Sequence, residues 1–199
     1  MDIAQKYTEG LKKAYYDNHG QEQWDDFEHT VHGVSREHLE KLRALYPDIP
    51  DSLVHLLEFA DGTYWRTYGE KTVAFFFLGS DLEEYPYYLL SAEQMMDKDD
   101  SDWIEEYIDR EFDQVSIDEK ITDDSEKMCW LHFSDCMNNG GTSQLFIDFS
   151  PSPKGKKGQI ARYLHDPDEI EIIADSFEEY LEMLMERGYD FISEEDMED

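Results

Sequence analysis

The chain has 199 residues, 49 of them acidic against 17 basic, for a formal net charge of -32. Hydrophobic residues make up 40% and aromatics 14%, enough for one domain with a core of its own and too much for charge alone to keep the chain disordered. A chain this anionic repels nucleic acid and anionic membrane and attracts basic partners, although solubility alone accounts for such a charge equally well.

The first element expected is an amphipathic helix over residues 2–17, with Ile3, Tyr7, Leu11, Ala14 and Tyr15 at helical spacing. A second short helix runs from Trp24 to Val31 and closes at Gly33. Ser35 then reads as the N-cap of a helix carrying Leu39, Leu42 and Leu45 on one face, broken by Tyr46-Pro47-Asp48-Ile49-Pro50. Leu53, Leu56, Leu57 and Ala60 mark the next, with Gly62 as its left-handed C-cap.

After Gly62 the pattern turns aromatic and β-branched, so Thr63–Tyr68 and Thr72–Leu78 are expected strands joined by a Gly69-Glu70 turn. Tyr87–Leu90 suits a further strand, and Ser91 with Gln94 spells a capping box for a helix toward Met96. A helix from Asp102 places Trp103, Ile104, Tyr107, Ile108 and Phe112 on one side and its carboxylates on the other. Residues 113–127 read as a loop or acidic flap. Strands Cys129–Phe133 and Ser143–Phe149 follow, joined through Asn138-Asn139-Gly140-Gly141, then 159–164 and a short one at Glu171–Ile173. Ser176 and Glu179 suggest a second capping box for the last helix, and 194–199 is an acidic tail. Helices first, then a meander of strands with interspersed helices, give an α+β class. The chain shows no internal repeat and no clear linker.

No catalytic or metal-binding motif emerges. An EF-hand started at Asp97 has Asp102 where the turn needs glycine and Ile108 where a glutamate belongs. Cys129, His132 and Cys136 lack a fourth zinc ligand, and strand residues three apart point to opposite faces. Asn139-Gly140-Gly141-Thr142 lacks the Gly-Lys-Ser/Thr ending of a phosphate loop. Lys154, Lys156 and Lys157 read as a solvated hairpin tip. Two cysteines make no disulfide framework, the N-terminus shows no signal peptide, and the longest apolar run, Val73 to Leu78, is too short to span a bilayer. A cytoplasmic protein without cofactor or metal is expected.

Charge is unevenly spread. Residues 97–126 hold 14 acidic and 3 basic side chains, and 166–199 hold 15 and 1, whereas 127–165 hold 2 and 5. That basic interval sits inside the most specific part of the chain. Leu145-Phe146-Ile147-Asp148, Pro151, Gly155 and Gly158-Gln159-Ile160 lead to Ala174-Asp175-Ser176-Phe177-Glu178-Glu179-Tyr180-Leu181. Upstream, Tyr46-Pro47-Asp48-Ile49-Pro50 precedes a helix ending Phe59-Ala60-Asp61-Gly62, with Trp65 close behind. In this order the segments resemble the SUKH superfamily, which contains bacterial immunity proteins of polymorphic toxin systems and fungal cell-wall-assembly regulators.

The resemblance spans roughly residues 35–187. It implies a mainly antiparallel sheet flanked by helices, with a C-terminal helix; residues 1–34, which it does not cover, are expected as a helical N-terminal extension of a single domain over 1–199. It also implies a non-enzymatic protein that binds a cognate toxin, one with a basic surface such as a nuclease; the alternative is a regulatory or scaffolding module. The motif residues are fold residues. Partner contacts are therefore expected on the acidic insertion, at Asp97, Asp99, Asp100, Asp102, Glu105, Glu106, Asp109 and Glu111.

Overall fold

The structure, a computed structural model, describes residues 2–83, 85–97, 103–110, 114–136 and 143–193. Four helices open it: α1 (Ile3–Asp17), α2 (Gln21–Thr30), α3 (Arg36–Leu45) and α4 (Asp51–Phe59). A hairpin of β1 (Arg66–Tyr68) and β2 (Lys71–Val73) follows, then β3 (Tyr88–Leu89), α5 (Ala92–Met96), α6 (Ile104–Ile108), β4 (Ser116–Ile117) and a 3-10 turn at Ser125–Lys127. The remainder is β5 (Trp130–Cys136), β6 (Ser143–Asp148), β7 (Gln159–Leu164), β8 (Glu169–Ala174) and α7 (Phe177–Glu186).

Six strands make the main sheet in the order β3-β5-β6-β7-β8-β4. Every neighbouring pair is antiparallel except β4 with β8. The architecture is α+β. Strand β6 is buried along its whole length because both faces of the sheet are covered. Leu145 and Ile147 pair with a core shared by α1, α4 and α7, whereas Phe146 points to a second, smaller cluster with Trp130, Tyr163, Ile104 and Ile108. Helices α1 and α2 contribute Tyr7, Leu11, Trp24 and Phe27 to the larger core.

Local chemistry explains most boundaries. Ser35 Oγ accepts the His38 N–H at 3.1 Å and starts α3. Ser176 Oγ accepts the Glu179 N–H at 3.1 Å, as the capping pattern requires, but the Glu179 carboxylate accepts from Asp175 N–H at 3.1 Å rather than from the cap residue. The basic turn between β6 and β7 is shaped from within: buried Asp148 accepts Gln159 Nε2–H at 2.8 Å and Ser150 N–H at 2.7 Å, and Gln159 Oε1 accepts Lys156 N–H at 3.0 Å. Its lysines are exposed and each pairs with a carboxylate of the same chain: Lys154 with Glu119, Lys156 with Asp175, Lys157 with Asp48.

Three expectations need correction. Gly62 is not the C-cap of α4, which ends on Ala60 in extended conformation; its φ of 90° serves a close approach, since a Cβ there would lie 2.6 Å from Ser91 N. The strand expected to reach Leu78 stops at Val73. From Ala74 to Ser80 three carbonyls are met by side chains instead: Tyr15, Tyr7 and Tyr180 hydroxyls donate to the carbonyls of Phe76, Phe77 and Gly79, each at 2.7 Å, while Leu78 makes an isolated antiparallel bridge with Tyr87. Finally, the flap at 113–127 supplies the parallel edge strand β4, paired with β8 at Ser116–Glu169 and Ile117–Ile170. The expected tail at 194–199 and the turn through Asn138–Gly141 lie outside the described residues.

Candidate partner-binding surface

Helix α5 is fixed at both levels of its first turn. Ser91 Oγ accepts Gln94 N–H at 3.2 Å while Gln94 Oε1 accepts Ser91 N–H at 2.9 Å, a complete capping box. The buried Asp61 carboxylate also accepts Ala92 N–H at 2.9 Å. Helix α6 is held differently, chiefly by its apolar side. Ile104 and Ile108 are fully buried on the sheet, and Trp103 meets the Tyr163 ring edge-on at 4.6 Å. Tyr107 adds a hydroxyl donated to Asp168 Oδ2 at 3.3 Å.

The acidic insertion is thus a cover for the second face of the sheet. Among its described residues, Glu105 and Glu106 stand on the outer side. Of the residues expected to contact a partner, Asp97, Glu105, Glu106 and Asp109 are described and exposed, whereas Asp99, Asp100, Asp102 and Glu111 lie outside the described residues. Asp109 is engaged in the fold: its carboxylate accepts Ser125 N–H at 2.9 Å and Ser125 Oγ–H at 2.6 Å, and these bonds hold it below the usual carboxylate range. Glu105 and Asp97 come together on the rim of one cleft of 110 Å³.

That cleft is also lined by Trp130, His132, Phe146, Leu45, Met95 and Met128. His132 is buried, and desolvation lowers its pKa to about 4, so the imidazole is neutral near pH 7. Carboxylates beside apolar side chains such as Leu45 and Met128 suit a basic side chain, whose stem is apolar and whose head is charged. No group of three His, Cys, Asp or Glu side chains among the described residues is placed to hold a metal ion. No described helix is long and apolar enough to cross a membrane.

Two surface residues were not anticipated as part of this face. Leu45 shares the leucine face of α3 by spacing, yet it is 51% exposed at the last turn of the helix, beside the cleft. Trp65, read as part of a strand, is 61% exposed. Helical spacing predicted the direction of Leu45 but not where its neighbours end. An isolated tryptophan beside a glycine turn was the available signal for the other.

Residues 33–183 match the SMI1 / KNR4 family (SUKH-1). The match starts after α2 and ends inside α7, so it takes in the whole main sheet, α5 and α6. No curated protein matches the chain.

Proposed function

This chain belongs to the SMI1 / KNR4 family (SUKH-1), and from that membership we propose that it is a non-enzymatic immunity protein that binds and neutralises a cognate toxin domain. The family covers toxin-immunity proteins and regulators, which act by binding other proteins. The observation that carries the choice is the two-sided build of α6, with Ile104 and Ile108 buried on the sheet while Glu105 and Glu106 stand in solvent. This presents negative charge on a platform packed against the sheet. A toxin with a basic, phosphate-binding surface, such as a nuclease, would meet that platform with fast, salt-sensitive association and lose access to its substrate. Inhibition is by occupation, without turnover.

The test is co-purification of the protein with a toxin domain encoded beside it, at about 50 mM and about 500 mM salt. We expect the Glu105→Lys, Glu106→Lys double variant and the higher salt each to weaken binding by about tenfold or more, and the variant to lose protection. Undiminished binding and protection would exclude this face. Binding to other cellular proteins with no toxin among them would favour the regulatory alternative.

A further inference from the structure

Trp65 is the most exposed large hydrophobic side chain among the described residues, at 61%. The other three tryptophans behave as core or near-core residues: Trp24 is fully buried, Trp130 is 7% exposed, and Trp103 packs on Tyr163. Trp65 makes no ring contact with any described residue. Its backbone has a φ of 49°, in the left-handed region that bulky residues avoid.

Nothing about this segment is loose. Gln94 Nε2–H donates to Tyr64 O at 3.1 Å on one side of it. On the other, Arg66 donates to buried Asp61 at 3.1 Å and to Glu93 at 3.0 Å. The chain is therefore tied to α5 immediately before and after the tryptophan, and those ties hold the indole outward in an unfavourable backbone conformation. Strain maintained by surrounding structure at an exposed aromatic marks a position kept for contact.

The ring borders a shallow hollow of 350 Å³ that also includes Arg66, Glu93, Gln94 and Asp97. Asp97 lines the neighbouring cleft as well, so the hollow continues into the face carrying Glu105 and Leu45. Among the described residues, Glu93 and Asp97 line the hollow beside Arg66, whose guanidinium is held by Glu93 and by buried Asp61. An aromatic face with a surplus of negative charge beside it is complementary to a planar cation.

We infer that Trp65 is the anchor of the partner-binding surface and stacks against an arginine side chain of the bound protein, with Glu93 and Asp97 meeting its charge. This rests on the reading of the chain as a protein that binds a basic partner and adds the side chain it recognises. Arginine fits better than lysine because its guanidinium is flat and weakly hydrated, so it can stack on indole and bond carboxylates together.

The probe is the blocked peptide Gly-Arg-Gly-Arg-Gly, with lysine and glutamate counterparts, titrated while the four indole N–H signals are followed by NMR. The arginine peptide should move the Trp65 signal first, with the lysine peptide several-fold weaker and the glutamate peptide silent. Trp65→Asn, which suits a left-handed backbone and so preserves the fold, should weaken arginine-peptide binding by about tenfold, and Trp65→Phe by less. A Trp65 signal that stays still, or a Trp65→Asn variant that binds as the parent does, would overturn the inference. If the peptide binds and responds only to Glu105→Lys with Glu106→Lys, this inference falls while the acidic-face reading stands. Self-association abolished by Trp65→Asn would assign the indole to a second copy of the chain and overturn it equally.

Discussion

The imidazole of His132 sits 4.9 Å from the Phe146 ring, with Nε2 placed 3.1 Å from Ser134 O, to which it donates. The bond to the Ser134 carbonyl favours the charged ring, but burial dominates and the pKa falls to about 4. In the unfolded chain a histidine titrates near 6.5. The unfolded state therefore takes up a proton that the folded state refuses, and stability present above about pH 6.5 is lost as pH falls toward 4, by up to about 1.4 kcal/mol per pH unit. Replacing His132 by Phe should remove this contribution. In urea unfolding, the parent minus variant stability should decline by several kcal/mol between pH 7 and pH 4; a constant difference across that window would contradict the assignment. Sequence spacing nominated His132 only as a doubtful zinc ligand, because burial on the second sheet face is not written in its neighbours.

At the scale of elements, α6 is the instructive case. Five residues, Ile104–Ile108, are too few to hold a helix in isolation. The helix exists because Ile104 and Ile108 bury themselves on Phe146, Tyr163 and Ile170. Ile108→Ala should cost about 3 kcal/mol, the usual loss for a fully buried aliphatic chain. Hydrogen exchange should then quicken first in α6 and in the Ser125–Lys127 turn that Asp109 ties to it, ahead of β6 and β7. Uniform acceleration across the protein would show that the cover is no separate unit. The apolar stripe of this helix was legible at the right residues, whereas what it covers was not. The segment after β2 shows the opposite failure: aromatic and β-branched residues suggested a strand to Leu78, but tyrosine hydroxyls from α1 and α7 took the carbonyls that a strand would have paired.

Over the whole molecule, a net charge of -32 must be accommodated on folding. The chain's basic turn is neutralised internally, by Asp48, Glu119 and Asp175. These pairs are exposed and individually weak, so the long-range repulsion among the remaining carboxylates outweighs them. Raising salt from about 20 mM to about 500 mM should therefore raise Tm, by about 2–5 °C in calorimetry. A falling Tm would mean that the ion pairs contribute more than the repulsion costs. The same salt weakens association with a basic partner, so stability and binding are expected to move in opposite directions.

The sequence by itself determined the order of the helices, the strands β5 to β7, the family-like hairpin around Asp148 and the capped starts of α3, α5 and α7. These depend on residues close in the chain: a hydroxyl three positions before its N–H, an alternation of two, a glycine in a turn. It also singled out the insertion as a concentration of charge. Tertiary structure alone decided that the sheet is covered on both faces and that β4 runs parallel at its edge. It decided too that Asp109 is engaged by Ser125, that Asp97 and Glu105 share a cleft, and that Leu45 and Trp65 reach solvent beside it. Each of those facts joins residues far apart in sequence. Which side of a residue is left uncovered depends on where every other element packs, and no local pattern encodes that.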